Sequence, residues 1–236
     1  MNYKLFRRII GAFVFLASAI VLFMTVQPSV SFWDAGERIA ASYYLQIPHP
    51  PGTPFFILLG KIFSMIPFVD NVGLRVNTIS VLAGAFSVLF LYLVAVRLIE
   101  DYRGKEYKSF IDAAGTYIAA AIGALSFSYS NTFWFVAVEA EVYSMSLFLF
   151  TFIVWMMMVW YDKADNRDSE KYLLMIAYLV GLAAGVHLMS VLAIMPVVMV
   201  IIFRKYIQDY EECKKTAMIF LGHVGLLLII AIALWA

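Results

Sequence analysis

YLLMIAYLVGLAAGVHLMSVLAIMPVVMVIIF, residues 172–203, runs for 32 residues without an Asp, Glu, Lys or Arg. As one helix it would be about 48 Å long at 1.5 Å per residue, well beyond a hydrocarbon core of about 30 Å. Gly181, Gly185 and His187 lie near its middle, and Pro196 follows. The run therefore predicts two short helices hinged near Gly185–Met189. That reading fixes the side on which everything after it falls.

Working outward, residues 9–26, 76–96, 113–138, 142–161 and 216–236 are also free of charge. The chain is 64% apolar and 14% charged, where soluble domains stand nearer half and a quarter. Apolar blocks of this length cross membranes as helices. A β-barrel would instead alternate over segments of about ten residues. The expected fold is an all-α polytopic membrane protein with about seven transmembrane helices. They are placed at roughly 9–27, 73–97, 111–130, 142–161, the two halves of 172–203, and 216–236. MNYKLFRRII ahead of the first run resembles a secretory leader, but no small-residue cleavage site precedes Gln27 and Pro28, so the run reads as an uncleaved helix. We expect 1–236 to form one transmembrane domain. Its close at Trp235–Ala236, within an apolar run, suits a chain truncated at its C-terminus.

Charge sets the orientation. With the N-terminus inside, 14 of the 17 Lys and Arg fall in or beside the inner segments 1–8, 98–110, 162–171 and 204–215. This is the positive-inside bias, and a single crossing over 172–203 would break it. The net charge of +1 gives no reason to expect a nucleic-acid partner. A lone Cys213 excludes an intrachain disulfide and reads as a surface thiol. Walker A, glycine-rich dinucleotide and zincin motifs are absent.

The outer face then receives 28–72, a short turn near 131–141 and the hinge near 187. Within 28–72 stands SFWDAGERIAASYYLQIPHPPGTPFF, residues 31–56. DAGERIAASYYL predicts an amphipathic helix starting near Asp34 or Ser31. TPFFILLGKIFSMIPFV predicts an interfacial helix with Lys61 snorkelling. Asp34 and Glu37, three apart on a helix, share a side. Such a pair could accept a hydroxyl proton or hold a divalent ion, Mg²⁺ or Mn²⁺, against a phosphate. The same spacing also fits a capping box. His49, in the stiff turn IPHPPGTPF, is held over a ligand or simply solvated. Arg38 is a candidate for phosphate. Glu139 and Glu141 need a partner or a polar cavity near lipid. Two apart on a helix, one should face the site and the other water or headgroups, unless both lie in the headgroup layer. His187 is a packed histidine or a ligand contact, and the Gly181–Gly185 spacing allows close helix contact. His223 is expected only to pack. We expect at least three of Asp34, Glu37, His49, Glu139, Glu141 and His187 to converge on one pocket, with Asp34 most central.

WDAGE at 33–37, HPPGTP at 49–54, RVNTISVLAG at 75–84, EAEVYSM at 139–145 and GVHLMS at 185–190 resemble the bacterial membrane family called domain of unknown function 2723. That family is regarded as related to the protein O-mannosyltransferases of the GT-C glycosyltransferase superfamily. The resemblance implies a GT-C-like fold in a bacterial cytoplasmic membrane, working on the outer face. It implies a polyprenyl-phosphate-sugar donor and an exported protein, glycan or lipid acceptor. It also implies Asp34 as the catalytic acidic residue, with Glu37 beside it and His49 in the cavity wall. The rival readings are a transporter or flippase for a lipid-linked solute and a non-catalytic membrane subunit. The first would expect polar groups deep in the inner halves of the helices.

Overall fold

A computed structural model describes residues 3–207 and 210–235, and all regular structure among them is helical. The helices are α1 (Tyr3–Met24), α2 (Ala35–Tyr44), α3 (Pro54–Met65), α4 (Val72–Arg103), α5 (Phe110–Ser128), α6 (Asn131–Ala137), α7 (Val142–Lys163), α8 (Glu170–Ala184), α9 (Ile194–Lys205) and α10 (Tyr210–Trp235). A 3-10 helix, Leu188–Ala193, joins α8 to α9. Local chemistry sets several ends. Asn71 and Ser109 cap α4 and α5 through their side chains, and Gly104, at φ +91°, ends α4.

Among the described residues, five helical segments are long and apolar enough to cross a bilayer: Tyr3–Met24, Val72–Arg103, Phe110–Ser128, Val142–Lys163 and Leu188–Lys205. The predicted break in 172–203 is present: α8 stops at Ala184, and the chain turns through Gly185 and His187. Pro196 sits in the first turn of α9, where its missing N–H costs nothing. At 15 residues, about 22 Å, α8 is shorter than an ordinary crossing. The seventh predicted crossing, 216–236, falls on α10, whose side chains beyond 225 lie outside the described residues. The chain is a multi-pass membrane protein. Along α1, Leu5, Ile9, Phe13, Leu16, Ile20 and Phe23 are exposed at helical spacing. An apolar stripe of that length belongs against lipid.

α4 is the central post. Val76, Ile79 and Ala83 join one core with α2, α3, α7, α8 and α9. Val81, Val88, Tyr92 and Val96 join another with α1, α5 and α6. Ion pairs mark one end of the bundle. There Arg97 grips Asp162, Arg103 pairs with Asp112, Arg204 with Asp165, and Arg7 approaches Glu100. The starts of α1 and α5 thus meet the ends of α4 and α7, as the alternating topology requires.

At the other end the 28–72 segment is docked on the bundle rather than spread over lipid. α3 buries Phe56, Ile57, Gly60 and Ser64 while exposing Leu58, Ile62 and Met65. At 12 residues it is too short to cross. Lys61 is tied down: its Nζ donates to the Tyr43 carbonyl (2.7 Å). Arg75 donates to the Ser64 and Val69 carbonyls, closing off the end of α3 (2.8 and 2.6 Å). The predicted turn over 131–141 differs, since most of it is helix α6.

Gly60 is where α3 meets α2. A Cβ built there would lie 2.1 Å from Ser42 Oγ and 2.6 Å from Ser42 Cβ. Gly60→Ala should therefore destabilise the fold by about 1–3 kcal/mol, the usual cost of overpacking. Ser42→Gly in the same chain should restore most of it. Thermal unfolding in detergent, followed by tryptophan fluorescence, checks both. Equal midpoints for Gly60→Ala and wild type would contradict the close approach.

Candidate active site

Arg38, in the second turn of α2, is the hub of the site. Its side chain is 4% exposed, and its Nη1 donates to Glu141 Oε1 at 2.6 Å. Its Nη2 donates to Asp34 Oδ2 at a looser 3.3 Å. Glu141 is held in turn by its backbone. Ser80 Oγ donates to the Glu141 carbonyl (3.0 Å) and accepts from the Glu141 N–H (3.2 Å). Burial pushes the Glu141 carboxyl above the usual glutamate range, and Arg38 pulls it back. A buried ion pair of this kind adds little net stability, but removing one partner strands a charge at about 3–5 kcal/mol.

Asp34 stands at the N-terminus of α2 with about half of its side chain exposed. It makes no capping bond, and Glu37 does not return to it, so the capping-box reading fails. Glu37 Oε1 instead accepts the His49 backbone N–H (2.8 Å), and Glu37 Oε2 accepts from His49 Nδ1 (2.6 Å). His49 Nε2 lies 3.8 Å from Asp34 Oδ2. The proline-rich turn thus folds back on α2 and seats His49 between two carboxylates. The His49 hydrogen bonds hold the Glu37 carboxyl below its usual range. One ligand atom from each of Asp34, Glu37 and His49 lies within 4.8 Å of the others.

The hinge closes the third side. The Phe55 N–H donates to the Gly185 carbonyl (2.8 Å), joining the start of α3 to the end of α8. Gly185 permits this approach, since a Cβ there would lie 3.3 Å from Phe55 Cβ. Gly181 faces open space, so the four-residue glycine spacing does not mark a contact at both positions. His187 lies tilted against the Tyr143 ring (centroids 5.3 Å apart), and its Nδ1 accepts the Met189 N–H (3.1 Å). Burial, then the Arg38 charge, holds its pKa down. The neutral ring therefore carries its proton on Nε2 and offers one donor.

Glu139 and Glu141 depart from expectation. Both are buried within the protein, at 2% and 5% exposure, so neither faces open water. They occupy the break between α6 and α7, where extended backbone at Glu141 (φ −115°, ψ 143°) turns both inward. Asp34 is likewise not the centre; Arg38 is. Sequence reasoning missed Ser80 and Tyr143 as individual residues. It also missed Asn77, whose Nδ2 donates to the Gln27 and Ser29 carbonyls (2.8 and 2.9 Å) and fixes the chain leaving α1.

Two further features mark this end. Among the described residues, eight buried side-chain N or O atoms lack a hydrogen-bond partner, and seven belong to Ser31, Ser42, Thr53, Asn77, Glu139, Glu141 and Ser144. Buried polar groups are normally satisfied, so such a concentration fits a place that receives water or a polar ligand. Trp33, Leu45 and Thr53, at φ 61°, 54° and 43°, are the non-glycine residues in left-handed backbone among those described. All three flank α2 and its turn, and strain of this sort gathers at working sites.

The model of the protein O-mannosyl-transferase TMEM260 N-terminal domain matches residues 34–210. The chain belongs to this family. All seven candidate residues, Asp34, Glu37, Arg38, His49, Glu139, Glu141 and His187, lie inside the match. The chain is similar to a protein O-mannosyl-transferase tmem260 of Dictyostelium discoideum, 29% identical over 161 residues, which are 67% of this chain and 18% of the relative. It is also similar to protein O-mannosyl-transferase TMEM260 of Mus musculus, 30% identical over 193 residues, 81% of this chain and 25% of the relative. The matched region thus spans a quarter or less of these curated relatives. No solved structure matches the chain.

Two expectations follow from the geometry. Arg38→Met should destabilise the chain by about 3–5 kcal/mol by stranding Glu141, and adding Glu141→Leu should recover most of that loss. A double-mutant cycle on unfolding checks this; additive losses would contradict a direct pair. Glu37 gives the second. Its folded pKa is depressed, so the stability it shares with His49 is complete above the ordinary glutamate range. That contribution is lost as pH falls below it, through the folded value. A carboxyl NMR titration should find Glu37 titrating low, and His49→Ala, which removes the ring donor but keeps the backbone N–H, should bring it part of the way back.

Proposed function

We propose that this chain is the catalytic membrane part of a glycosyltransferase. It moves a sugar from a polyprenyl-phosphate-linked donor to a hydroxyl of an exported protein, surface glycan or lipid. The observation that carries the reading is a half-exposed Asp34 carboxylate beside a buried, charge-compensated Arg38. The name shared by the relatives makes mannose the first sugar to assay and a protein serine or threonine the first acceptor.

In this reading the acceptor oxygen attacks the anomeric carbon, the bond from that carbon to the phosphate oxygen breaks, and polyprenyl phosphate leaves. Asp34 takes the hydroxyl proton as general base. Direct displacement inverts the anomeric carbon. The Nη2 edge of Arg38, held by its looser contact, and the Nε2–H of His187 are the donors available to the phosphate. Glu37 keeps His49 in place beside Asp34. Glu139 and Glu141 wall the buried side, where Glu141 fixes the guanidinium.

Two carboxylates and an imidazole fit a divalent cation, with Mn²⁺ suited to the mixed donor set better than Mg²⁺. Asp34, Glu37 and His49 would hold it, and it would supply positive charge for the phosphate leaving group. The positive-inside bias supports an inner N-terminus with seven crossings and a site on the outer face. The bacterial-family resemblance supports a bacterial cytoplasmic membrane. The transporter reading gains little, because among the described residues buried charge lies only at the two ends, Arg38, Glu139 and Glu141 at one and Glu100 at the other, and traces no path between them.

The test is transfer of labelled mannose from polyprenyl-phosphate-mannose by the full chain. Asp34→Asn should lower turnover by about 10²–10⁴-fold, the scale of a lost general base. Unchanged turnover would overturn the assignment.

A further inference from the structure

A wide cavity lies at the opposite end from Asp34. A groove of about 650 Å³ runs between α1, α4 and α7, within the range of ligand pockets. Arg7, Arg8, Arg97 and Asp162 stand at its mouth, and Phe15, Phe86, Leu89 and Trp155 line its depth. From Arg8 to Phe15, and from Asp162 to Trp155, the descent is seven residues of helix, about 10 Å. From Arg97 to Phe86 it is about 16 Å. One leaflet of hydrocarbon is about 15 Å thick. The groove therefore descends through about two-thirds to the whole of one leaflet, charged where headgroups lie and apolar where chains lie. Phe15 and Phe86, with ring centroids 4.8 Å apart, form part of its wall.

The mouth carries usable positive charge. Arg97 is already spent: it donates to Asp162 through both terminal nitrogens and to Asp101 through Nε. Lys105 Nζ also lies 3.4 Å from Asp162 and 3.7 Å from Asp101, so these carboxylates are compensated. Arg7 makes only a 3.7 Å approach to Glu100. Arg8 is exposed and makes no ion pair among the described residues. The two arginines are also held in place. Gly11 lets α1 sit against the Tyr92 ring, where a Cβ would lie 3.1 Å from Cε1, and the Tyr92 hydroxyl donates to the Arg7 carbonyl (3.0 Å).

We propose that this groove binds one anionic glycerophospholipid, its phosphate on Arg7 and Arg8 and an acyl chain against Phe15, Phe86 and Trp155. A zwitterionic lipid offers the same chains and phosphate but brings its own ammonium to the mouth, beside Arg7 and Arg8. Basic side chains at a membrane surface favour anionic lipid by about 1 kcal/mol each, about fivefold per arginine.

Trp155 supplies the reporter. The full chain is placed in nanodiscs of phosphatidylcholine containing a small, equal fraction of brominated phosphatidylglycerol or brominated phosphatidylcholine. Quenching assigned to Trp155, as the difference from Trp155→Phe, should be several-fold greater with the brominated anionic lipid. Arg7→Gln with Arg8→Gln should abolish that excess. Ala12→Phe fills the groove without touching a charge and should abolish it too. Equal quenching by both lipids would overturn the proposal. So would an excess that survives Ala12→Phe, because that reports general attraction to a basic surface and not a seated lipid. An excess unchanged in the double arginine variant would overturn it as well.

Discussion

The pair formed by Arg38 and Glu141 spans 103 residues of sequence and joins the first non-spanning helix to the start of α7. Burying either charge alone would cost several kcal/mol, so each requires the other where it stands. The rest of the site follows from that requirement. α2 must lie against the bundle for Arg38 to reach Glu141. Asp34, one turn earlier, is then held at the rim with one side open. The turn carrying His49 closes on the same helix through Glu37. The turn ends at the first residues of α3, where Phe55 meets the hinge at Gly185, and this brings His187 to the site.

The bundle supplies the rigidity this arrangement needs. α4 contributes to both cores, and its first turns present Asn77 and Ser80 to the chain segments that bear the site. Asn77 fixes the exit from α1; Ser80 fixes the backbone of Glu141. Thr53, at 7% exposure, is held in its left-handed backbone by the packing around it, whereas Leu45 closes the C-terminus of α2 and both it and Trp33 stand exposed. The opposite end is built differently. Its carboxylates are matched by Arg and Lys at the surface, and its groove opens to lipid.

Much of this was legible in the sequence because membranes impose simple rules. Helix length against bilayer thickness exposed the break in 172–203, and alternating apolar runs and basic loops anticipated which helix ends meet. The Asp34–His49 neighbourhood was legible because polar residues are rare in such a chain and the prolines limit its shape. The pairing of Arg38 with Glu141 was not, since no periodicity relates residues so far apart. Glu139 and Glu141 were misplaced for a local reason. Helical spacing sends side chains two apart in different directions, but these two lie in an extended break. Asp34 looked central because it begins the motif, whereas burial singles out the guanidinium one turn later. Gly181 and Gly185 share a spacing, yet only Gly185 meets a neighbour.

The proposed transferase reading places a lipid-linked sugar beside Asp34. A cryo-electron microscopy structure of the full chain with a non-hydrolysable polyprenyl-phosphate-mannose analogue tests it most directly. The account predicts sugar-phosphate density at the end of the bundle bounded by α2, the His49 turn and His187. The Asp34 carboxylate should then face the anomeric carbon opposite the phosphate. Density seated at the other end, against Arg7 and Arg8, or a bound sugar with Asp34 turned away from it, would contradict the account.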